Sequence, residues 1–177
     1  YIHPCNEPAL IHGVGTYSLE IFEELPNVDA IIAPIGGGTG ACGAVTVAKA
    51  IQPDVKVIGV QAENAPAVYL SWKAGRKVET DSCNTIADGL ATRVPFDLPF
   101  SILKGGISQI VLVSEEEIRD GMRMALRYTH NLAEGAAVAP IAAARKLKVE
   151  LSGQNVVMIM SGADLDTETL KWVLNET

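Results

Sequence analysis

The sequence of 177 residues is poor in several features that mark particular protein classes. It has three cysteines, Cys5, Cys42 and Cys83, and no C-x-x-C pair, which argues against a disulfide framework or a zinc site. No apolar run approaches the roughly 20 residues needed to cross a bilayer. We therefore expect neither a membrane-spanning nor a disulfide-stabilised protein, and free thiols fit a reducing cytoplasm.

Positive charge is also scarce. Lys and Arg total 14 against 21 Asp and Glu, the net charge is −7, and the basic residues are scattered along the chain. Because nucleic acids and anionic membranes are bound by clustered positive charge, the sequence predicts no nucleic-acid partner and no membrane partner. What the chain does have is 48% hydrophobic residues, enough to build the core of one domain.

Short apolar runs alternate with helical segments along the chain. Nearly continuous apolar, β-branched strands are typical of a parallel sheet buried on both faces. The predicted strands are Ala30 to Ile35, Val55 to Val60, Ile110 to Val113 and Asn155 to Met160. The predicted helices are Tyr17 to Leu25, Thr39 to Ile51, Ala65 to Ala74, Glu115 to Asn131, Glu134 to Leu147 and a short one after Asp166. The segment from Lys77 to Gly106 is predicted to be a long irregular connection. The pattern favours a three-layer α/β fold that binds ligands at the carboxyl ends of its strands.

A glycine-rich turn, "PIGGGTGACG", joins the first predicted strand to a helix. Glycines at 36, 37, 38 and 40 permit positive φ angles and a close approach of a ligand to the backbone. Free N–H groups and the positive end of a helix dipole attract anions at such a place. The turn is therefore predicted to bind a phosphate group, although a purely structural turn is the simpler alternative.

Three known types of phosphate-binding loop are candidates for this turn. A P-loop is excluded, because Gly43 is followed by Ala44 where a lysine is required. A dinucleotide fingerprint is formally present in Gly38, Gly40 and Gly43, with Glu63 as a ribose partner beyond the next strand. An NAD-type dinucleotide-binding domain is thus one alternative; the phosphate of pyridoxal 5′-phosphate is the third.

"VDAIIAPIGGGTGACG" resembles the phosphate loop of the fold type II pyridoxal-phosphate enzymes, the family of threonine/serine dehydratases and serine racemase. Other blocks resemble the same family in the same order along essentially the whole chain: "YIHPCNEPALIHGVGTYSLEI", "KVIGVQAEN", "TIADGLA", "LAEGAAVAPIAA" and "VMIMSGADLD". Within the family, the catabolic-type threonine dehydratases are the most similar. The resemblance implies pyridoxal 5′-phosphate as cofactor and a tryptophan synthase β-like sandwich.

The resemblance also implies a set of site residues. Ser161 would contact the pyridine nitrogen, Gly89 would lie against the cofactor ring, and Glu134 would lie near the ring and the substrate. A neutral hydroxyl does not hold a proton on the pyridine, which favours prompt loss of a β-leaving group. The alternative for Ser161 is a serine that simply ends a strand. The alternative for Glu134 is a carboxylate that stabilises a helix N-terminus. The cofactor phosphate would be bound by Gly36, Gly37, Gly38 and Thr39.

Departures from the family pattern limit what can be carried over. Many relatives have glycine in place of Thr39, and the block S-G-G-N reads Ser161, Gly162, Ala163, Asp164 here. Cation-binding relatives carry a carboxylate where this chain has Gln61, so no metal site is expected. His3, His12 and His130 lack metal-type spacing and are interpreted as structural or exposed.

The family's Schiff-base lysine lies in a block resembling S-x-K-x-R-G, which this chain lacks. The chain also begins at Tyr1 rather than at methionine. We therefore expect residues 1–177 to be the cofactor-binding (large) domain portion of a longer two-domain enzyme, with the catalytic-lysine half elsewhere and the isolated chain inactive. A lysine-free binding or regulatory module is the alternative.

The activity implied is β-elimination of threonine or serine to a 2-oxo acid and ammonia, a reaction of amino-acid metabolism such as isoleucine biosynthesis. The implied partners are an amino-acid substrate, the amino-terminal half of the enzyme and further copies in a homo-oligomer, in the cytoplasm. Serine racemase or cysteine synthase-like activity remains open within the same fold.

Overall fold

The computed structural model describes residues 1–175 as alternating helices and strands. The strands are β1 (Ala30–Pro34), β2 (Lys56–Ala62), β3 (Gln109–Val113) and β4 (Val156–Met158). The helices are α1 (Pro8–Glu24), α2 (Thr39–Ile51), α3 (Ala67–Ala74), α4 (Asp97–Gly106), α5 (Glu115–Met124), α6 (Gly135–Lys146) and α7 (Thr167–Leu174). A 3-10 turn spans Asp88–Leu90, and a π-helical turn, Ala125–Thr129, follows α5.

The strands form one four-stranded parallel sheet in the order β3-β2-β1-β4. Ala30 of β1 pairs with Lys56 on one side and with Val156 on the other. The strand order therefore reverses between β1 and β4, and in open α/β sheets the crevice at such a reversal is where ligands bind. The predicted parallel sheet is confirmed.

Helices cover both faces of this sheet. Ile31 packs in a core with Val45 of α2 and Leu103 of α4. Its neighbour Ile32 packs in a second core with Ile118 of α5 and residues of α6 and α7. Successive strand residues point to opposite faces, so one β-strand serves both cores. The predicted three-layer architecture is confirmed.

Helix α1 starts at Pro8, well before the predicted start at Tyr17. Glu7 accepts a hydrogen bond from the N–H of Ala9 at 3.2 Å, and proline is well suited to the first helical position. Two glycines of opposite helices lie at the crossing of α1 and α2: a Cβ added to Gly43 would lie 2.8 Å from the Cα of Gly15. Glycine, which lowers helix propensity, is required here because the two backbones touch.

The connection predicted to be irregular contains α4, so that prediction is wrong over Asp97–Gly106. Pro99 lies in the first turn of the helix, where a backbone N–H has no intrahelical acceptor to lose. The side chain of Phe96, at the N-cap, has no atom that could accept a capping hydrogen bond. The Oδ1 of Asn6 accepts one from the N–H of Leu98 at 3.1 Å instead.

Two further elements are shorter than predicted. The strand predicted to reach Met160 ends at Met158, because β4 is an edge strand paired with β1 alone. The helix predicted to reach Asn131 keeps regular α-helical geometry to Met124 and then widens into the π-helical turn.

Within residues 1–175, no helix is both long enough and apolar enough to cross a membrane.

Candidate active site

A cavity of about 730 Å³ opens at the carboxyl ends of β1 and β4, where the strand order reverses. The glycine turn bounds it on one side, α1 on another, and the segment from Val157 to Ser161 on a third. The structure brings every predicted site residue to this one cavity: Gly36, Gly37, Gly38, Thr39, Gly89, Glu134 and Ser161.

The glycine turn offers a row of free donors to the cavity. Within the part of the chain that the structure describes, the backbone N–H groups of residues 36–41 have no protein acceptor. They precede and open α2, whose N-cap Gly38 has a φ of 95°, a value that favours glycine. Unpaired N–H groups at the positive end of a helix bind anions. The geometry therefore suits a phosphate group.

At three glycines of the turn, the direction that a side chain would take leads into protein rather than into the cavity. A Cβ added to Gly36 would collide with the carbonyl oxygen of Gly89, and one added to Gly37 would collide with the Sγ of Cys5. A Cβ on Gly38 would lie 3.0 Å from that of Pro99. The sequence attributed these glycines to the approach of a ligand; the structure adds a second reason, which is close packing behind the turn.

Helix α1 supplies a wall of the cavity that the sequence interpretation missed. Tyr17 lines it and donates its hydroxyl to the carbonyl oxygen of Gly40 at 2.9 Å. Burial raises the pKa of Tyr17 to about 12, so the phenol remains a neutral donor at physiological pH. The α1 residues that line the cavity belong to the block "YIHPCNEPALIHGVGTYSLEI", which resembles the family, but only the folded helix shows that one of its faces lines the cavity.

Glu134 lies between two segments that line the cavity. It is the N-cap of α6, yet its side chain makes no capping hydrogen bond. Its Oε1 lies 3.9 Å from the position of a Cβ on Gly89 and 2.6 Å from that of a Cβ on Gly162. Its N–H donates to the carbonyl oxygen of Gly162 at 3.2 Å. The carboxylate is thus directed towards the cavity wall rather than towards the helix end.

Ser161 lies beyond the end of β4 rather than on it. The pairing with β1 extends one bond past the strand, through the N–H of Ile159 to the carbonyl of Ile32 at 3.0 Å. Ser161 is exposed, and its hydroxyl has no protein partner among residues 1–175. The side chain is therefore free to donate to or accept from a ligand in the cavity.

The sequence profile of one protein family, described as "Pyridoxal-phosphate dependent enzyme", matches residues 1–162. The chain belongs to this family. It is 38% identical over 99% of its length to an L-threonine ammonia-lyase of Thermotoga maritima, of which it covers 44%. It is 37% identical over 94% of its length to the catabolic L-threonine dehydratase TdcB of Escherichia coli, of which it covers 51%.

A solved structure of threonine deaminase isoform 2 from Solanum lycopersicum superposes with a TM-score of 0.93, at 32% identity, over 98% of this chain and 51% of that one. The chain thus spans about half the length of the curated relatives that it matches. The predicted fold, the pyridoxal-phosphate family and the resemblance to threonine dehydratases of the catabolic type are confirmed.

The residues present fit the family's cofactor. The free backbone amides at one end of the cavity suit a phosphate group. The free Ser161 hydroxyl, on another wall, suits a ring nitrogen. No lysine is among the described residues that line the cavity.

The alternative ligands of the sequence analysis find less support. Glu63, the ribose candidate, does not line the cavity; its carboxylate lies 3.6 Å from the Nζ of Lys146 on α6. Gln61 is fully buried and joins the carbonyl of Ile35 to the N–H of Tyr69. Among the described residues no group of three or more His, Cys, Asp or Glu side chains is arranged to hold a metal ion.

Proposed function

We propose that the protein carrying this chain is a pyridoxal-phosphate-dependent ammonia-lyase for a hydroxy-amino acid such as threonine or serine. One observation carries the proposal: a cavity at the sheet reversal has free backbone amides on one wall and an unpartnered serine hydroxyl on another. The names of the relatives, L-threonine ammonia-lyase and L-threonine dehydratase, support the same substrate class.

The chain's own residues bind and orient the group. The amides of Gly36, Gly37, Gly38 and Thr39 bind its phosphate, helped by the dipole of α2. Gly89 would present a surface without a side chain to the ring. Glu134, held between Gly89 and Gly162, would be placed near the ring and the substrate.

Ser161 sets the electronic character of the site. Pyridoxal phosphate, when bound, supplies an electron sink that stabilises negative charge at the α-carbon of the amino acid. The Ser161 hydroxyl is neutral and does not stabilise a proton on the pyridine nitrogen as a carboxylate would. A neutral hydroxyl at this position would therefore favour loss of the β-hydroxyl over reprotonation of the α-carbon.

The overall reaction balances without an external oxidant. The α-proton and the β-hydroxyl leave as water, and hydrolysis of the released enamine consumes one water and yields a 2-oxo acid and ammonia. The base that removes the α-proton is the family's lysine, outside the cavity wall described above. The proposal therefore takes residues 1–177 as the cofactor-binding part of a two-domain enzyme.

The proposal includes the setting of the enzyme. Its partners are the amino-acid substrate, the amino-terminal half and further copies of the same chain in a homo-oligomer. Free cysteines at positions 5, 42 and 83 favour the reducing cytoplasm. Serine racemase or cysteine synthase-like activity is the alternative on the same fold.

The test uses the complete protein, purified with pyridoxal phosphate and given L-threonine or L-serine. The expected result is release of 2-oxo acid and ammonia in equal amounts. Accumulation of D-serine without 2-oxo acid would assign a racemase instead. Saturable binding of NAD, with no bound pyridoxal phosphate, would overturn the proposal in favour of a dinucleotide-binding domain.

A further inference from the structure

The segment from His3 to Asn6 packs directly behind the glycine turn. The Sγ of Cys5 occupies the space that a side chain at Gly37 would need. The ring of Phe96 reaches the same space, with its Cε2 3.7 Å from the position of a Cβ on Gly37. Two side chains distant in sequence from the turn therefore determine how far it can move away from the cavity.

His3 fixes the backbone that carries Cys5. Its Nδ1 accepts hydrogen bonds from the N–H of Cys5 at 3.0 Å and from that of Asn6 at 2.9 Å. An imidazole nitrogen that accepts in this way carries no proton, so the ring's proton lies on Nε2. The pair of bonds closes a tight turn and directs the Cys5 side chain at Gly37.

The same histidine joins this segment to α4. Its ring packs edge to face on Phe96, with 4.9 Å between the ring centroids. Asn6, the second donor to His3, caps α4 through the N–H of Leu98. The first turn of α4 in turn supports Gly38 through Pro99. His3 thus connects the two segments that support the glycine turn, which are the segment carrying Cys5 and the first turn of α4.

We infer that His3 is a positioning residue for phosphate binding: it holds Cys5 and Phe96 against Gly37, and so fixes the direction in which the free amides of the turn point. The inference rests on the proposed function, because it assumes that these amides bind the phosphate of pyridoxal phosphate. His3 itself is not among the described residues that line the cavity.

The test measures binding to the complete apo-protein, by titration with pyridoxal phosphate and, separately, with pyridoxal, which lacks the phosphate. His3→Phe keeps a ring on Phe96 and removes the acceptor. His3→Asn restores an acceptor, because an asparagine side chain bonds backbone N–H groups shortly after it. His12→Phe is the matched control, since His12 is exposed on α1.

His3→Phe is expected to weaken pyridoxal phosphate binding roughly tenfold, the loss that accompanies misdirected hydrogen bonds, while pyridoxal binding changes little. His3→Asn should recover most of the loss, and His12→Phe should bind both ligands as the wild type does. An equal loss for both ligands would indicate a general structural role and overturn the inference. Unchanged binding by His3→Phe would overturn it as well.

Two further results separate the inference from the proposed function. If the wild-type protein binds pyridoxal as tightly as pyridoxal phosphate, the proposed phosphate site itself is wrong. If His3→Phe does not fold, Cys5→Ala tests the same support by removing only the sulfur behind Gly37. A few-fold loss confined to the phosphorylated ligand supports the inference, and no loss contradicts it.

Discussion

The two ends of the candidate site differ in how they are built. Gly36 and Gly37 meet other parts of the chain so closely that neither accepts a side chain. Ser161, by contrast, is exposed beyond a short edge strand that has one neighbour. Packing therefore sets the shape of the phosphate end, whereas the Ser161 end is positioned by little more than the β1–β4 pairing and Glu134. Substitutions should separate accordingly into effects on stability and effects on chemistry.

The largest effect is expected from Gly36→Ala. The new Cβ would collide with the Gly89 carbonyl, and backbone on both sides cannot move aside cheaply. We expect a loss of about 3 kcal/mol in the free energy of unfolding, together with loss of pyridoxal phosphate binding. Urea unfolding and cofactor titration measure both.

Gly13→Ala is the matched control for this change. Gly13 lines the same cavity from α1, yet an added Cβ there would meet nothing within 4 Å. Alanine in place of glycine inside a helix should stabilise the protein by up to about 1 kcal/mol. Similar losses from both substitutions would contradict the packing explanation.

The next largest effect is expected from Gly37→Ala, at about 2 kcal/mol of destabilisation. Because the obstacle is the Cys5 sulfur, Cys5→Ala should relieve it: the Cβ of Cys5 lies 3.4 Å from the new methyl group, an ordinary contact. The double variant should unfold within about 1 kcal/mol of the wild type and bind pyridoxal phosphate again. If it folds but does not bind the cofactor, glycine at this position serves the ligand, as the sequence analysis first suggested.

Ser161→Ala should leave the free energy of unfolding within about 0.5 kcal/mol of the wild type, because the side chain is exposed and unpaired. The rate of 2-oxo acid formation should fall roughly tenfold with the loss of one hydrogen bond. Steady-state assays and urea unfolding of the complete enzyme separate these two quantities. A large loss of stability would show that the Ser161 end is as tightly packed as the phosphate end.

Ser161→Asp tests more directly whether residue 161 contacts the pyridine nitrogen. A carboxylate beside the pyridine nitrogen favours its protonated form, so reprotonation of the α-carbon should compete better with loss of the β-hydroxyl. Elimination should slow, and deuterium from solvent should enter recovered substrate more often per elimination. A variant that retains the cofactor, eliminates at the wild-type rate and exchanges no additional deuterium would show that Ser161 does not contact the ring nitrogen.

The smallest effect is expected away from the cavity, at Glu117→Gln near the β3 edge of the sheet. Burial alone would raise the pKa of Glu117, but hydrogen bonds from Ser114 and the ammonium group of Lys146 outweigh it and lower that pKa below 4.5. A carboxyl whose pKa is lowered by folding adds stability above its unfolded pKa, and the protein loses this contribution as the pH falls through the folded value. The variant should therefore lose about 0.5 kcal/mol at pH 7.

Unfolding curves at pH 7 and in acid test whether Glu117 stabilises the folded protein at neutral pH and loses that contribution in acid. The wild type and Glu117→Gln should converge as the pH falls below the folded pKa of the carboxyl. Lys146→Gln removes the other partner of the 2.9 Å ion pair and should reduce the same pH dependence. A difference between wild type and variant that grows in acid would contradict the assignment.

The sequence was sufficient where the signals are local. Helix α2 runs from Thr39 to Ile51 as predicted, because a glycine turn starts it and an alanine-rich segment follows. Ser114 and Glu117 form the capping box that their spacing predicts. The site residues could be chosen because the blocks that resemble the family surround the ends of the strands.

The sequence was insufficient where distant segments decide the structure. Helix α4 is capped by Asn6, 92 residues away in sequence, so no local pattern indicated its start. Cys5 and His3 looked like isolated residues, and only the folded chain brings Cys5 against Gly37 and His3 against Phe96. The physical reason for each glycine of the turn was likewise hidden, because it depends on the segment that lies behind that glycine.

The pairing of β4 with β1 also has a consequence for the order of folding. Asn155, just before β4, donates its N–H to the Asp29 carboxylate across 126 residues of sequence, whereas β1 and β2 are joined through α2 alone. The entropy of closing a loop grows with its length, and contacts between distant residues form slowly. We expect the glycine turn to assemble early with β1, α2 and β2, and Ser161 to arrive last. The ability to bind the whole cofactor would then report that the final strand has docked.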